Sequence, residues 1–358
     1  MRSNIFSKAV PAVMENLDGR RLLSGNVFTY SLSEYTNPEG DTFRSLWVNG
    51  THTSDRVTMS ATNPHRNSDG NQVATVTLKL RAATGPTITA VFSNINFASF
   101  NGEDGNDIVT ATGNMTINTG DENFEMYLTG GDGNDTLYGK MLGSVSAYGD
   151  GGNDTISFRD LIPRNTTVLI DTSNVSFNLG GGDGNDRIIG SPLSEALFGD
   201  NGDDKLIAGA GNDQLYGGDG SDSLYGEGGH DRMDGGWGYR EASAPVINYT
   251  DLLYGGSGND TFQVLSTKGT FVYEDGSISG IGNKTLIFGE DGVDTLQFVT
   301  NSDLPGAPVY DYAATSTERS YTLDYGNGNQ GRGDRISDTH IAADVMNDVF
   351  ANSAVIAL

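Results

Sequence analysis

The chain has 358 residues, enough for one long domain or two ordinary ones, and its 47 Asp and Glu against 21 Lys and Arg give a formal net charge of −26. A polyanion repels nucleic acids and anionic membrane surfaces, so both are excluded as partners. The absence of Cys excludes disulfides and thiolate metal sites, so any metal would be held by oxygen or His, and oxygen ligands suit a hard cation such as calcium. The 50 Gly cost backbone entropy unless turns require them.

The N-terminal segment, residues 1–25, is predicted to be a leader. It lacks the apolar core of an ordinary secretory signal, because Ala9–Met14 is short and contains Pro11. The stretch Glu15–Ser24, ENLDGRRLLS, resembles the N-terminal sorting motif of planctomycete surface proteins, of the type Leu-Glu-x-Arg-x-Leu-Leu, with Asp18 where Glu is usual. This resemblance implies a route to the cell surface; the alternative is a flexible basic leader.

Residues 26–100 are predicted to form an irregular β-rich cap. Three stretches alternate apolar and polar residues, which is the period of a strand with one buried face. Their apolar positions are Phe28, Tyr30 and Leu32, then Ala74, Val76, Leu78 and Leu80, then Ile88, Ala90 and Phe92. A small separate β-sandwich is the competing interpretation.

A nine-residue period dominates residues 101–300, with its regular core at 181–236. Six frames follow one another without a gap: GGDGNDRII, GSPLSEALF, GDNGDDKLI, AGAGNDQLY, GGDGSDSLY and GEGGHDRMD. Position six is acidic in every frame: Asp186, Glu195, Asp204, Asp213, Asp222 and Asp231. Position eight is apolar in every frame: Ile188, Leu197, Leu206, Leu215, Leu224 and Met233.

Each frame is half turn and half strand. Glycines at positions one, two and four permit the positive φ angles and the close backbone approach of a tight turn. One apolar residue at position eight, between two tolerant positions, predicts a three-residue strand with a single inward side chain. Such a unit cannot bury its apolar residue alone, so the frames must stack on one another.

This pattern resembles the RTX family of calcium-binding repeats, with the consensus GGxGxDxUx, where U is a large apolar residue. The resemblance implies an all-β fold, a right-handed parallel β-roll or β-helix in which residues eighteen apart stack along two edges. Those edges would carry Asp186, Asp204 and Asp222 on one side, and Glu195, Asp213 and Asp231 on the other. Further copies lie at Gly102–Thr110, Gly130–Tyr138, Gly149–Ser157, Gly255–Gln263 and Gly289–Gln297, and two weaker frames end in Asp55-Arg56-Val57 and Asp251-Leu252-Leu253.

The same resemblance implies several Ca²⁺ ions, each held between successive turns by position-six carboxylates and by backbone carbonyls of the glycine-rich turns. The predicted carboxylate ligands are Asp107, Asp135, Asp154, Asp186, Asp204, Asp213, Asp222, Asp231, Asp260 and Asp294. The predicted turn residues are Gly130, Gly133, Gly181, Gly184, Gly199, Gly202, Gly209, Gly211, Gly217, Gly220, Gly226 and Gly229. The alternative is a set of hydrophilic turns that bind nothing. Against it, stacked carboxylates repel one another unless a cation lies between them.

Three departures interrupt the array. Glu195 is one methylene longer than Asp and its turn lacks the central glycines, so this site is expected to be empty or distorted. In the frame GGWGYR, position six is Arg240, whose guanidinium cannot bind calcium. Asp251 follows Asp231 by twenty residues rather than eighteen, so Trp237–Thr250 is expected to leave the roll as a loop.

The C-terminal region, residues 301–358, is predicted to be a cap or a secretion-signal region. Ile341, Val345 and Val349 are spaced by four residues, as in a short amphipathic helix within residues 338–358. This acidic segment with an apolar end resembles the uncleaved C-terminal signal of type I secretion substrates, which many RTX proteins are. A capping helix is the alternative.

Together these features predict a secreted or surface-associated calcium-binding structural or binding protein that folds on meeting extracellular calcium. A cell-surface or matrix polysaccharide is a candidate partner. The sequence has no HExxH helix, no GxSxG elbow and no Cys nucleophile. The alternative function is a β-helical polysaccharide lyase or epimerase that uses scattered side chains such as Tyr216, Tyr225, His230 and Arg240.

Overall fold

The structure is a computed structural model, and the regular elements among the residues that it describes are all strands. The described residues are 28–38, 40–67, 72–113, 124–141, 144–160, 177–236, 249–265, 271–272, 277–279, 283–291, 293–299, 319–324 and 335–337. The predicted leader, Arg240 and the predicted C-terminal helix lie outside them. Within these ranges there is no helix long and apolar enough to cross a membrane. The chain divides into two compact units, residues 1–187 and residues 188–358.

The first unit is built from two sheets. Its strands are β1 Thr29–Thr36, β2 Thr42–Asn49, β3 Arg56–Arg66, β4 Gln72–Arg81, β5 Ile88–Ile95, β6 Phe97–Asn101, β7 Ile108–Gly113, β8 Glu125–Asp132, β9 Thr136–Met141, β10 Ser144–Gly151, β11 Thr155–Ser157 and β12 Phe177–Asp183. One sheet has the order β1-β2-β6-β8-β10-β12, and the other has the order β5-β4-β3-β7-β9-β11. From β6 onward the chain alternates between the sheets, so each turn of the roll adds one strand to each sheet.

Residues 28–101 supply the first turn of this roll together with antiparallel extensions. Strand β2 pairs parallel with β6, and β3 pairs parallel with β7. On the other side of these two strands the pairing becomes antiparallel, because β1 joins β2 as a hairpin and β4 and β5 extend the sheet beyond β3.

The second unit repeats this arrangement. Strand β13, Arg187–Ile189, lies at the division between the units. The following strands are β14 Ala196–Asn201, β15 Lys205–Ala210, β16 Gln214–Asp219, β17 Ser223–Gly228, β18 Arg232–Asp234, β19 Tyr249–Ser257, β20 Thr261–Leu265, β21 Phe271–Val272, β22 Ser277–Ser279, β23 Asn283–Asp291, β24 Val293–Val299, β25 Arg319–Asp324 and β26 Arg335–Ser337. The sheet orders are β14-β16-β18-β20-β24-β25-β26 and β15-β17-β19-β23-β22-β21. The pairs from β14 to β24 and from β15 to β23 are parallel.

The core consists of columns of apolar side chains, one from each strand. In the second unit, position-eight residues pair in register and are buried: Leu197, Leu215, Met233 and Phe262 in one sheet, and Leu206, Leu224, Leu253 and Ile287 in the other. In the first unit the corresponding columns are Leu46, Ala98, Met126, Val145 and Phe177, and Val57, Val109, Leu137 and Ile156. The parallel β-roll and its position-eight core are therefore confirmed.

The loop predicted at Trp237–Thr250 is shorter at its C-terminal end than expected. Tyr249 and Thr250 belong to β19, which pairs with β17 and β23. Residues 237–248 lie outside the described part of the chain.

Candidate metal centre

The position-six aspartates of the first unit form one continuous carboxylate ladder, which we call the first ladder. Each lies in the turn directly before a strand of the sheet that contains β3, and all are buried: Asp55, Asp107, Asp135, Asp154 and Asp186. The backbone N–H of each member donates to Oδ1 of the next, at N···O distances of 2.7, 2.6, 2.6 and 2.6 Å. Frames that look isolated in the sequence are thus neighbours in space.

The second unit has two such ladders, one at each edge. Glu195, Asp213, Asp231 and Asp260 are linked by N–H···O bonds of 2.8, 2.9 and 2.8 Å, and Asp204, Asp222 and Asp251 are linked at 2.9 and 3.2 Å. Within residues 195–231 the partners are eighteen residues apart, which confirms the predicted stacking in this part. Asp251 stacks on Asp222 and Asp260 stacks on Asp231, each 29 residues earlier rather than eighteen. The prediction that Asp251 follows Asp231 with two extra residues is therefore wrong, because Asp251 belongs to the ladder of Asp222.

The second carboxylate oxygen of these residues is the feature that fits a cation. Oδ2 is buried and has no hydrogen-bond partner in the described residues at several members of the ladders: Asp107, Asp135, Asp154, Asp213, Asp222 and Asp231. A buried polar atom without a partner costs about 1–3 kcal/mol. Such an atom repeated along a stack indicates a partner other than a protein side chain.

Backbone carbonyls face the same oxygen. A methyl group at Gly130 would collide with Oδ2 of Asp135 and would lie 2.7 Å from the carbonyl oxygen of Gly149. Position one must therefore be glycine for the carboxylate and the carbonyl to come this close. Across the described residues, three His, Asp or Glu side chains do not gather at any single point. In these turns a backbone carbonyl oxygen and a carboxylate oxygen therefore lie close to the same point. A mixture of carboxylate and carbonyl oxygens is what calcium prefers.

The predicted turn glycines occupy the positions that this geometry requires. At Gly199, Gly217 and Gly226 a methyl group would likewise meet Oδ2 of the aspartate in the same turn, and the carbonyl of Gly181 approaches Gly149. The other predicted turn glycines have left-handed φ angles between 119° and 142°: Gly133, Gly184, Gly202, Gly209, Gly211, Gly220 and Gly229.

Burial raises the pKa of carboxyl groups in the ladders. It raises the pKa of Asp107 to about 8, helped by the neighbouring Asp135 and Asp55 carboxylates, and it raises the pKa of Asp154 and Asp222 to about 7. Without a cation these groups resist ionisation, because the charged form loses its hydration and lies near other acids. A divalent cation between the turns removes both penalties, so the residues present fit calcium.

Comparison with known families agrees with this geometry. A family model described as RTX calcium-binding nonapeptide repeat (4 copies) matches residues 127–140, 142–159, 180–192, 193–224, 211–239 and 248–263. The chain carries RTX calcium-binding repeats. A search of curated proteins finds no match. The RTX segments contain the ladder residues from Asp135 to Asp260, whereas Asp55 and Asp107 lie before them and join the same ladder only in the structure.

Besides Glu195, two acidic residues outside the predicted ligand set belong to the carboxylate ladders. Asp55 and Asp251 occur in the weaker frames, and both are buried members of a ladder. The signal available in the sequence was an acid two residues before an apolar one, Val57 after Asp55 and Leu253 after Asp251. Asp294 lies in β24 one residue before Thr295, which pairs with Thr261, so its backbone follows Asp260 in register; its side chain is outside the described part.

The Glu195 turn is rebuilt around a hydroxyl group. Oε1 of Glu195 accepts hydrogen bonds from both the backbone N–H and the side-chain hydroxyl of Ser191, while Oε2 is buried without a partner in the described residues. The extra methylene therefore fits inside the turn, and Glu195 keeps its place at the start of its ladder by donating its N–H to Asp213.

The position-five residues form a ladder of a different kind, which was not predicted from the sequence. In the first unit the side-chain Oδ1 atoms of Asn106, Asn134 and Asn153 each accept the backbone N–H of the next position five, at 3.0, 2.7 and 2.7 Å. These side chains are exposed, and their bonds point in the opposite direction to those of the carboxylates. Asn stands directly before the acid in all four of the frames that end the turns at Asp107, Asp135, Asp154 and Asp186, which was the available signal.

The side chains considered for catalysis take part in local packing. Tyr216 stacks on Phe198 with ring centroids 5.2 Å apart, and Tyr225 stacks on Tyr254 at 4.8 Å. Nδ1 of His230 accepts the backbone N–H of Asn259 at 2.8 Å. Tyr216 and Tyr225 belong to different sheets, β16 and β17, so they do not share a surface position.

Proposed function

We propose that the chain is a secreted or surface-associated structural protein that folds when its RTX repeats bind extracellular calcium. The supporting observation is the recurring buried Oδ2, which faces a backbone carbonyl and lacks a hydrogen-bond partner at residues such as Asp107, Asp154 and Asp222. The proposed ligands are the carboxylates of Asp107, Asp135, Asp154, Asp186, Asp204, Asp213, Asp222, Asp231, Asp260 and Asp294, with carbonyl oxygens of the turns. Bound calcium would neutralise the ladders and join successive turns.

Export is part of this proposal. RTX-repeat proteins are typically secreted, and extracellular calcium modules bind at about 10⁻⁴–10⁻³ M. Cytosolic calcium is too low to load sites of that affinity, so the ladders would fill after export. The N-terminal and C-terminal segments, residues 1–25 and 301–358, are the proposed sorting and secretion regions.

A neutral region of cell-surface or matrix polysaccharide is the proposed partner. On the outer face of the sheet that contains β2, Trp47 and Tyr127 occupy the same row across the strands and are 46% and 36% exposed. Exposed aromatic side chains offer apolar faces together with a polar edge, a combination suited to sugar rings. Trp47→Ala should abolish the binding of soluble glycans if this face is used.

Calcium binding itself is tested by calorimetric titration of the full chain after treatment with a chelator. We expect several calcium ions per chain at about millimolar calcium, and weak binding of magnesium, which requires a compact octahedral shell of oxygens. A chain that binds no calcium at this concentration would rule out the proposed function.

A further inference from the structure

The first ladder begins at a turn that differs from all its other turns. In Gly50–Asp55, positions two and four are Thr51 and Thr53, whereas the next turn has Gly105 at position four. Strand β3, which follows Asp55, has the parallel β7 on one side and the antiparallel β4 on the other. A further parallel turn therefore does not stack on Asp55, and the ladder ends there.

Thr51 occupies both carboxylate oxygens of Asp55. Its backbone N–H donates to Oδ2 at 2.7 Å, and its hydroxyl donates to Oδ1 at 2.9 Å. Thr51 is 3% exposed and Asp55 is 3% exposed, so these bonds are shielded from water. Asp55 accordingly has no buried oxygen without a partner, unlike Asp107 one turn later.

The backbone explains the difference between these two turns. In the Gly102–Asp107 turn, position two is Glu103 with a left-handed φ of 71°, and its N–H donates to Oδ1 of Asn101 at 3.2 Å. This rotation turns the N–H away from Asp107 and leaves Oδ2 open. Thr51 does not have a left-handed φ angle, and its N–H donates to the carboxylate of Asp55 instead.

The Ser191–Glu195 turn repeats half of this arrangement. There too a hydroxyl residue stands at position two, and its N–H and hydroxyl donate to the position-six carboxylate. Both bonds go to Oε1, so Oε2 of the longer Glu195 stays without a partner. At Asp55, in contrast, the position-two residue bonds both oxygens.

We propose that Thr51 closes the first ladder without an ion, so that the calcium sites of this unit begin at Asp107. The two N–H and O–H donors of Thr51 supply the positive partner that calcium supplies elsewhere, as a capping residue satisfies the open end of a helix. The inference rests on the proposed calcium binding of the other turns. It makes Thr51 the residue that determines where the array of ions ends.

The test compares two matched substitutions on the same ladder, Asp55→Asn and Asp107→Asn, in the full chain. Bound calcium is counted by equilibrium dialysis and metal analysis at saturating calcium. We expect Asp55→Asn to keep the parent number of ions and Asp107→Asn to bind at least one fewer. Loss of an ion in Asp55→Asn would overturn the inference. An unchanged number in Asp107→Asn would instead overturn the proposed function at this ladder.

A gain of binding gives an independent readout if Asp55→Asn fails to fold. The double substitution Thr51→Gly with Thr53→Gly places glycine at positions two and four. It removes the hydroxyl that donates to Oδ1 of Asp55, and it permits the left-handed φ that would turn the position-two N–H away from Oδ2. We expect this variant to bind one more calcium ion than the parent chain. The same number of ions as in the parent would show that Thr51 is not what excludes the ion.

Discussion

At the scale of single residues, a position-six carboxylate inside a ladder connects two turns. Oδ1 of Asp222 accepts the backbone N–H of Asp204 in the preceding turn at 2.9 Å, while its own N–H donates to Asp251 in the following turn. Oδ2 remains buried and open. One side chain therefore fixes the backbone register and presents an oxygen to the ion, so that folding and binding depend on the same group.

Asp222→Ala should consequently damage more than one site. We expect fewer bound ions and a less cooperative calcium titration, because the sites above and below Asp222 lose a shared ligand or its backbone support. Asp219→Ala is the control, since it removes the same charge from position three of the same repeat. Equal effects of the two substitutions on ion number would argue against the ladder.

The raised carboxyl pKa values predict how the ion-free chain responds to pH. Burial raises the pKa of Asp107 from 3.8 to about 8, so the folded chain binds more protons than the unfolded chain between these two pH values. Stability is then greatest in acid and is lost as the pH rises through the folded pKa. With a chelator present, the chain should show more β-structure by circular dichroism at about pH 5 than at about pH 8. Calcium should reverse this preference, because it binds the ionised form. More β-structure at the higher pH without calcium would contradict the burial of these carboxyls.

At the scale of elements, a strand of the roll contributes its position-eight side chain to the core, and the neighbouring strands bury that side chain. Leu215 of β16 is completely buried between Leu197 of β14 and Met233 of β18, although it lies in a sequence of Gly, Asp and Asn. The two flanking positions face outward, where Tyr216 stacks on Phe198. Stability is therefore shared along the stack rather than held within one repeat.

Leu215→Ala should raise the calcium concentration needed for folding, even though residue 215 does not belong to the proposed ligand set. Truncation of a buried Leu typically costs about 2–5 kcal/mol, and linkage converts this loss into weaker apparent calcium affinity. The measurement is the midpoint of a calcium titration followed by circular dichroism. Gln214→Ala, at the exposed neighbouring position, should leave the midpoint in place. A midpoint unchanged in Leu215→Ala would mean that position eight is not the core.

The position-five ladder should matter much less than the carboxylates. Oδ1 of Asn134 accepts the N–H of Asn153 at 2.7 Å, but both side chains are exposed and water can replace the bond. We expect Asn134→Ala to lower the free energy of unfolding by about 0.5–1.5 kcal/mol, the usual net value of one hydrogen bond. Denaturant unfolding at saturating calcium measures this, and a loss as large as that of Asp135→Ala would show that the Asn ladder holds the turns together.

The sequence predicted the parts of the fold that depend on the nine-residue period. The acidic and apolar positions between 181 and 234, and the stacking of partners eighteen residues apart, follow from turn and strand chemistry within each repeat. The first ladder could not be predicted in the same way, because its members are separated by 52, 28, 19 and 32 residues. Insertions of any length can separate two repeats that stack on the same edge, and the nine-residue period does not predict the length of an insertion.

The role of Thr51 lay beyond sequence reasoning for a related reason. In the sequence, a Thr at position two indicates only that a turn glycine is missing, which predicts a defective calcium site. Its actual effect depends on a φ angle and on two hydrogen bonds to Asp55, which only the folded turn shows.

At the scale of the whole molecule, the chain combines a net charge of −26 with 50 Gly residues. Glycine increases the conformational entropy that is lost on folding, and repulsion between the acids opposes a compact state. Burial of the apolar columns must offset both of these costs. Several ions between the turns would neutralise the ladders and add the missing stabilisation, which makes binding and folding a single event.

The most direct test is a calcium titration of the full chain at about neutral pH, followed by far-ultraviolet circular dichroism and reversed with a chelator. We predict a largely disordered spectrum without calcium, a cooperative change to β-structure at about 10⁻⁴–10⁻³ M calcium, and loss of that structure when the chelator is added. A β-rich spectrum that is the same with and without calcium would contradict the claim that these ladders are completed by ions.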